Sequence, residues 1–149
     1  MVALLAQSDE ALDFLRHAEE TLDRFGVAWA TSVARDVERV VPELEAGGVG
    51  VMIVANDSAQ PLSARVAALT KRPVLAVPLA SEGVTALESL QASAAGGAPV
   101  ATLAVGRAGA VNAALLAVAI LANSDQDLRD RLEEFRREQT QGVLEDRLE

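Results

Sequence analysis

The chain has 149 residues, half of them hydrophobic but only 3% aromatic, so a single domain over residues 1–149 with a core of Ala, Val and Leu is expected. It has no cysteine and one histidine, which excludes disulfides, thiolate chemistry, cysteine zinc sites and a histidine-rich metal site. The formal charge of −9, much of it in the last segment from Asp125 onward, argues against a nucleic-acid partner, which calls for a basic stripe.

Val2 to Leu5 is too short for a signal segment, and Gly109 to Ala122 falls short of the roughly 18 apolar residues of a membrane span. No membrane partner and a cytoplasmic location are therefore expected. In chain order, Val2 to Ala6 reads as a strand buried on both faces. Ser8 or Asp9 then caps a helix whose Leu12, Leu15, Ala18, Leu22 and Phe25 recur at three and four, and Gly26 ends it. His17 lies mid-helix on the flank of that stripe, where a surface role is expected. Val27 to Val33 is a second strand, with Trp29 filling space at an edge or interface.

Arg35 to Ala46 reads as a helix stopped by Gly47 and Gly48, and Pro42 inside it marks either a later start or a kink. Val49 to Ala55 is the clearest central strand. The polar turn Asn56 to Pro61 follows, with Pro61 suited to the first turn of a helix through Val66 and Leu69. Val74 to Pro78 is a fourth strand, and Ser81 and Glu82 lead into a helix that ends at Ala95, Gly96 and Gly97. Val100 to Val105 is a fifth strand, which bends at Gly106, Arg107, Ala108 and Gly109 into an apolar helix reaching Ala122. Ser124 and Asp127 form a capping-box-like pair that opens a C-terminal helical extension, residues 124–149. Its stripe of Leu128, Leu132 and Phe135 needs a cover, and a symmetry mate would supply one.

Apolar strands alternating with helices predict an α/β fold with a parallel sheet covered on both faces. Ligands in such sheets bind outside the carboxyl ends of the strands. That singles out the turns Gln7 to Glu10, Val33 to Asp36, Asn56 to Pro61, Ala80 to Gly83 and Gly106 to Asn112. Gly106, Arg107, Ala108 and Gly109 can cradle an anion, or the glycines can serve only close strand–helix packing. Asp57 and Ser58 on one turn and Asp9 and Glu10 on the next offer paired carboxylates for acid and base work, or a turn and a cap. Ser8, Asn56 and Ser81 join them as candidate ligand contacts. Asn112 reads as a buried amide or a subunit contact.

Pro73 to Leu121 and the tail from Ser124 strongly resemble the PurE family, mutases that handle carboxyaminoimidazole ribonucleotide. VALLAQSDEA at the start, Phe25 to Val27, Val51 to Ala55 and Val66 to Thr70 extend the likeness over nearly the whole chain. The resemblance implies a three-layer sandwich around a five-stranded, flavodoxin-like parallel sheet, and a homo-oligomer, usually an octamer, with the C-terminal helix packing on a neighbouring subunit. It also implies a site between subunits that holds a ribose phosphate on glycine-rich turns.

The departures fall on three turns. Ser8 and Asp9 keep part of the family's Gly-Ser-x-Ser-Asp pattern, whereas Gln7, Glu10 and Ala11 do not. The family's Ser-Ala-His-Arg loop has no counterpart between Gly26 and Val51, and Arg35 is the candidate to replace its arginine as a phosphate contact. Asn56 to Ser63 stands where the family has small residues followed by His-Leu-Pro-Gly. These changes lead to the expectation of a divergent member acting on a small anionic or nucleotide-like metabolite, without metal or organic cofactor. Asp9, Asp57 or Glu10 would then carry acid–base chemistry of lyase, isomerase or hydrolase type. A non-catalytic ligand-binding or assembly protein is the alternative, and the carboxyaminoimidazole ribonucleotide mutase itself is the third reading.

Overall fold

Five short apolar segments build one sheet in the computed structural model, which describes residues 1–58, 60–95 and 97–145. Ala59 of the third turn, Gly96 of the turn before the last strand, and residues 146–149 of the C-terminal extension lie outside the described residues. The strands are β1 (Val2–Ala6), β2 (Trp29–Val33), β3 (Val51–Asn56), β4 (Val74–Pro78) and β5 (Ala101–Thr102). They pair in parallel in the order β2-β1-β3-β4-β5. With helices on both faces this is the expected three-layer, flavodoxin-like arrangement.

The helices are α1 (Asp9–Arg24), α2 (Val37–Ala46), α3 (Leu62–Leu69), α4 (Ala86–Ala94), α5 (Gly106–Leu121) and α6 (Gln126–Glu145). Alternation along the central strands divides the core. Leu4, Ile53 and Val77 pack with α1 and α5 on one face, while Leu5, Met52 and Val54 pack with α2 and α3 on the other. The first face is built for close approach: α5 turns Ala110, Ala113, Ala114 and Ala117 inward, all fully buried. Small residues there let α5 lie flush on the sheet and on α1, which explains a core almost free of aromatics.

Several expected boundaries move, each for a local reason. The fifth strand is two residues, not Val100 to Val105. Its ladder with β4 ends with Leu103 donating to the Ala76 carbonyl at 2.9 Å, after which the chain leaves the sheet for the turn at Gly106. The second helix starts at Val37 because Asp36 is its cap, accepting from the Arg39 N–H at 3.2 Å, and the helix runs on through Pro42. Pro61 is the residue before α3 and not part of its first turn. Thr85, not Ser81 or Glu82, opens α4, in a full capping box with Glu88.

At the last helix Asp125 replaces Ser124 as the cap. Its carboxylate accepts from the Leu128 N–H at 3.0 Å, and the Ser124 hydroxyl turns back to the Leu121 carbonyl. Asn112 is exposed and not a buried amide.

The stripe of α6 also finds a different cover from the one expected. Leu128 and Leu132 are buried against their own chain. Phe135 meets Phe25 edge to face at 5.2 Å, with the Arg24 guanidinium 4.6 Å above its ring. Arg131 donates to the Phe25 carbonyl at 2.6 Å. The end of α1 thus holds the first half of α6, and residues 136–145 stand exposed.

Candidate functional site

Because all five strands are parallel, every turn singled out in the sequence lies along one edge of the sheet. The connection after β1 runs to β2 on one side and the connection after β3 runs to β4 on the other, so the crevice between the ends of β1 and β3 is the switch point at which such sheets bind ligands. One side-chain bond crosses it. The Ser8 hydroxyl, after β1, donates to the Asp57 carboxylate, after β3, at 2.6 Å. The same Ser8 oxygen accepts from the Ala11 N–H at 3.1 Å as the cap of α1. Ser8 is fixed by its helix, and Asp57 is fixed by Ser8.

The next turn adds a third contact, since the Ser81 hydroxyl donates to the Asp57 main-chain carbonyl. Ser81 is itself held by paired backbone bonds with Val84, both of 3.1 Å, across the loop after β4. Ser8, Asp57 and Ser81, from three different turns, therefore form one half-buried cluster at the centre of the rim.

Asn56 lies directly beneath it. Only 1% exposed, its amide nitrogen donates to the Ser63 and Ser93 hydroxyls, both at 2.7 Å, and its amide oxygen accepts from the Ser63 N–H at 3.0 Å. Its carbonyl accepts from the Leu79 N–H at 2.8 Å and the Ser89 hydroxyl at 2.9 Å. All its polar groups are engaged inside the protein, as a buried amide requires. This network was missed in the sequence. Ser89 and Ser93, one helical turn apart, are the buried face of α4, while Leu87 on the same helix is 61% exposed. The inversion was the available signal, but only the topology shows that this face meets the end of β3.

The remaining candidates stand apart from the cluster. Asp9 and Glu10 occupy the exposed first turn of α1, where their charge complements the helix dipole; neither bonds to Asp57. The Ser58 hydroxyl bonds within its own turn, to the Gln60 carbonyl at 2.8 Å. Arg35 is exposed at the end of β2. His17 lies roughly 12 Å along the helix axis from Asp9, with its Nδ1 3.6 Å from the Glu20 carboxylate.

The turn into α5 is built by its glycines. Gly106 has φ +68°, and a Cβ on Gly109 would lie 1.8 Å from the Ala104 carbonyl oxygen. Strand end and helix thus touch through bare backbone, and Arg107 and Ala108 stay exposed above. Val105, the residue before α5, offers no side-chain acceptor to the first turn. No three His, Asp or Glu side chains among the described residues are grouped to hold a metal ion, and no described helix is long and apolar enough to cross a membrane.

A parallel sheet in this order defines a flavodoxin-like α/β protein, with polar side chains meeting at its switch point. The chain belongs to the AIR carboxylase family, whose pattern it matches over residues 1–142. It is 39% identical, over 97% of its length and 94% of the relative's, to the N5-carboxyaminoimidazole ribonucleotide mutase of Brucella melitensis. It is 36% identical to the mutase of that name from Saccharolobus solfataricus, over 99% and 98%. Among solved structures, PurE of Treponema denticola superposes with a TM-score of 0.81 at 23% identity, covering 97% of this chain and 94% of that one, which supports the fold alone. The relatives carry the name of the third reading; none of them points to a separate, non-mutase activity.

Proposed function

We propose that this protein binds a carboxylated aminoimidazole ribonucleotide at the rim and moves its carboxyl group, an isomerase-type reaction, with Asp57 as proton carrier. The observation that carries the reading is the Ser8–Asp57 bond across the switch point, in a chain whose relatives bear the mutase name over nearly their whole length. A carboxyl shift from nitrogen to carbon within one molecule requires a base that takes the proton from the accepting carbon and an acid that returns one to the nitrogen. The only histidine of the chain is His17, and it lies on the body of α1. Asp57 is the titratable side chain held in the crevice, where the bond from the Ser8 hydroxyl fixes its direction. The turn at Gly106 to Gly109, with Arg107, is the place for the ligand's phosphate.

The reading extends to a homo-oligomer, an octamer on the family's pattern. In its support, α5 is apolar on its outer side as well: Leu116 is 37% exposed and, with Ile120, faces an open groove of about 410 Å³ beside Pro99 and Val100.

The position of His17 favours a second reading, retention of the nucleotide without turnover. Incubation with N5-carboxyaminoimidazole ribonucleotide, followed by the absorbance of the carbon-carboxylated product, separates the two. The first reading expects product from the wild type, and none above the uncatalysed rate from Asp57→Asn. Binding of aminoimidazole ribonucleotide without product formation establishes the second; neither binding nor product refutes both.

A further inference from the structure

We infer that Asn56 is a positioning residue for the rim site: it acts through Asp57, by fixing the direction in which the chain leaves β3, and touches no ligand. The inference rests on the reading of Asp57 given above for its functional meaning, but its structural part stands by itself.

Asp57 has one side-chain partner across the crevice, Ser8. A hydrogen bond of 2.6 Å between two turns survives only if both turns are held. Ser8 is held as the cap of α1. The turn that carries Asp57 has no such helix of its own, since α3 begins only at Leu62 and Pro61 before it supplies no cap. Asn56 provides the missing anchor. Its amide oxygen accepts the Ser63 N–H, so one side chain closes the turn from the residue before Asp57 to the first turn of α3. Its amide nitrogen reaches Ser63 and also Ser93, which ties that closure to α4.

The Asn56 carbonyl takes two further donors, from Leu79 and Ser89, and the Asp57 carbonyl takes Ser81. The Ser93 hydroxyl in turn donates to the Ser89 carbonyl at 2.8 Å. Apart from the Ser93–Ser89 bond within α4, each link ties the end of β3 to α3, to α4 or to the segment after β4. In a buried site these bonds polarise and reinforce one another, and losing one partner leaves the others unpaired.

The same arrangement explains why α4 turns serines inward and a leucine outward. Ser89 and Ser93 are there for Asn56. It also occupies the start of α3, where the Asn56 amide oxygen takes the Ser63 N–H.

The test is a crystal structure of Asn56→Ala together with a binding cycle. The variant is expected to fold and to lose the Ser8–Asp57 bond, the oxygens separating beyond 3.5 Å, the limit of a hydrogen bond. Should Asn56→Ala not fold, Ser63→Ala combined with Ser93→Ala, which leaves the amide in place without its two acceptors, takes its place. A bond unchanged in the folded variant overturns the inference whatever the protein binds.

Affinity for aminoimidazole ribonucleotide is then measured in wild type, Asn56→Ala, Asp57→Asn and the double variant. A loss on the order of tenfold is expected for Asn56→Ala, in line with the cost of slight misplacement of a site group, and less than about twofold further loss when it is added to Asp57→Asn. Equal losses in both backgrounds mean that Asn56 acts independently of Asp57, and overturn the positioning role. An Asp57→Asn variant that binds as wild type refutes instead the reading of the rim on which that role depends.

Discussion

Gly109 and Gly106 sit three residues apart on the turn proposed for the phosphate, and the structure gives them different reasons to be glycine. A Cβ on Gly109 would lie 1.8 Å from the Ala104 carbonyl oxygen, 2.7 Å from its carbon and 3.2 Å from Val77 Cγ1. The obstacle is backbone, so α5 would have to lift off the strand end. Overpacking of a tight core costs about 1–3 kcal/mol, and with no flexible side chain to yield, Gly109→Ala belongs near about 3 kcal/mol. Around Gly106 there is nothing within 4 Å, but φ is +68°, so Gly106→Ala pays only the left-handed backbone, about 1–2 kcal/mol. Gly97 has open space and no positive φ, and Gly97→Ala is expected to stay within about 0.5 kcal/mol of wild type. Urea unfolding followed by far-ultraviolet circular dichroism, at one protein concentration because assembly shifts apparent stability, gives all three. For a chain of this length the first change corresponds to roughly 6–12 °C in Tm. The reasoning is refuted if Gly109→Ala unfolds with Gly97→Ala, or if Gly106→Ala is the more damaging of the pair.

Three further outcomes are expected. The Glu45 carboxyl is held below its ordinary 4.5 chiefly by the Thr70 hydroxyl, with the Lys71 N–H and the Arg72 and Lys71 charges adding to it. The unfolded chain therefore takes up that proton first: the contribution is present above pH 4.5 and disappears as the pH falls through the folded-state value. Glu45→Gln should flatten the decline of the urea midpoint below pH 4.5, and a decline parallel to wild type would contradict the assignment. Phe135→Ala, at a half-buried ring stacked between Phe25 and Arg24, should cost about 2 kcal/mol, less than a fully buried phenylalanine, measured by the same unfolding curves. Removal of residues from 140 onward takes away no contact that the described part of α6 makes with the rest of the chain. It should leave the subunit's stability within about 0.5 kcal/mol while sedimentation reports whether the tail serves assembly; a larger loss of stability would mean that α6 docks further than Glu138, which bonds Arg24 at 2.9 Å.

Periodicity and punctuation placed the five strands and the order of the helices, because buried parallel strands read as continuous apolar runs and each helix opens or closes on a residue with a stated physical job. Ser8 and Gly26 do those jobs for α1 as expected. The errors arose where two residues compete for one task. Ser124 and Asp125 can both cap α6, and only the start of the helix decides between them. Phe135 looked uncovered because its partner, Phe25, is far away in sequence. The rim was legible as a set of turns, since topology puts every such turn at one edge, but its internal wiring was not. That Ser8 meets Asp57, and that Ser63, Ser89 and Ser93 converge on Asn56, depends on strand order and helix rotation together. Neither leaves a mark at fixed spacing.

The caps also divide the rim into two halves with different chemistry. Ser8 closes the start of α1, Asp36 that of α2, Asn56 that of α3 and the Thr85–Glu88 box that of α4. Among the described residues, only α5, of the helices that begin on this edge, starts without a side-chain acceptor. On the proposed reading an anion drawn to free N–H groups is directed to β5, at the border of the sheet, whereas the Ser8–Asp57 pair stands between β1 and β3. With strands about 4.8 Å apart, the two lie on the order of 10–12 Å from each other, too far for a phosphate or a base alone to engage both. A ribonucleotide, with phosphate and base joined through a ribose, is the proposed ligand that reaches across. Ribose 5-phosphate should accordingly bind weakly and ignore Asp57→Asn, while aminoimidazole ribonucleotide should bind more tightly and lose that advantage in the variant. Titration calorimetry with both ligands checks this, and equal sensitivity of the two to Asp57→Asn would place the phosphate in the crevice itself.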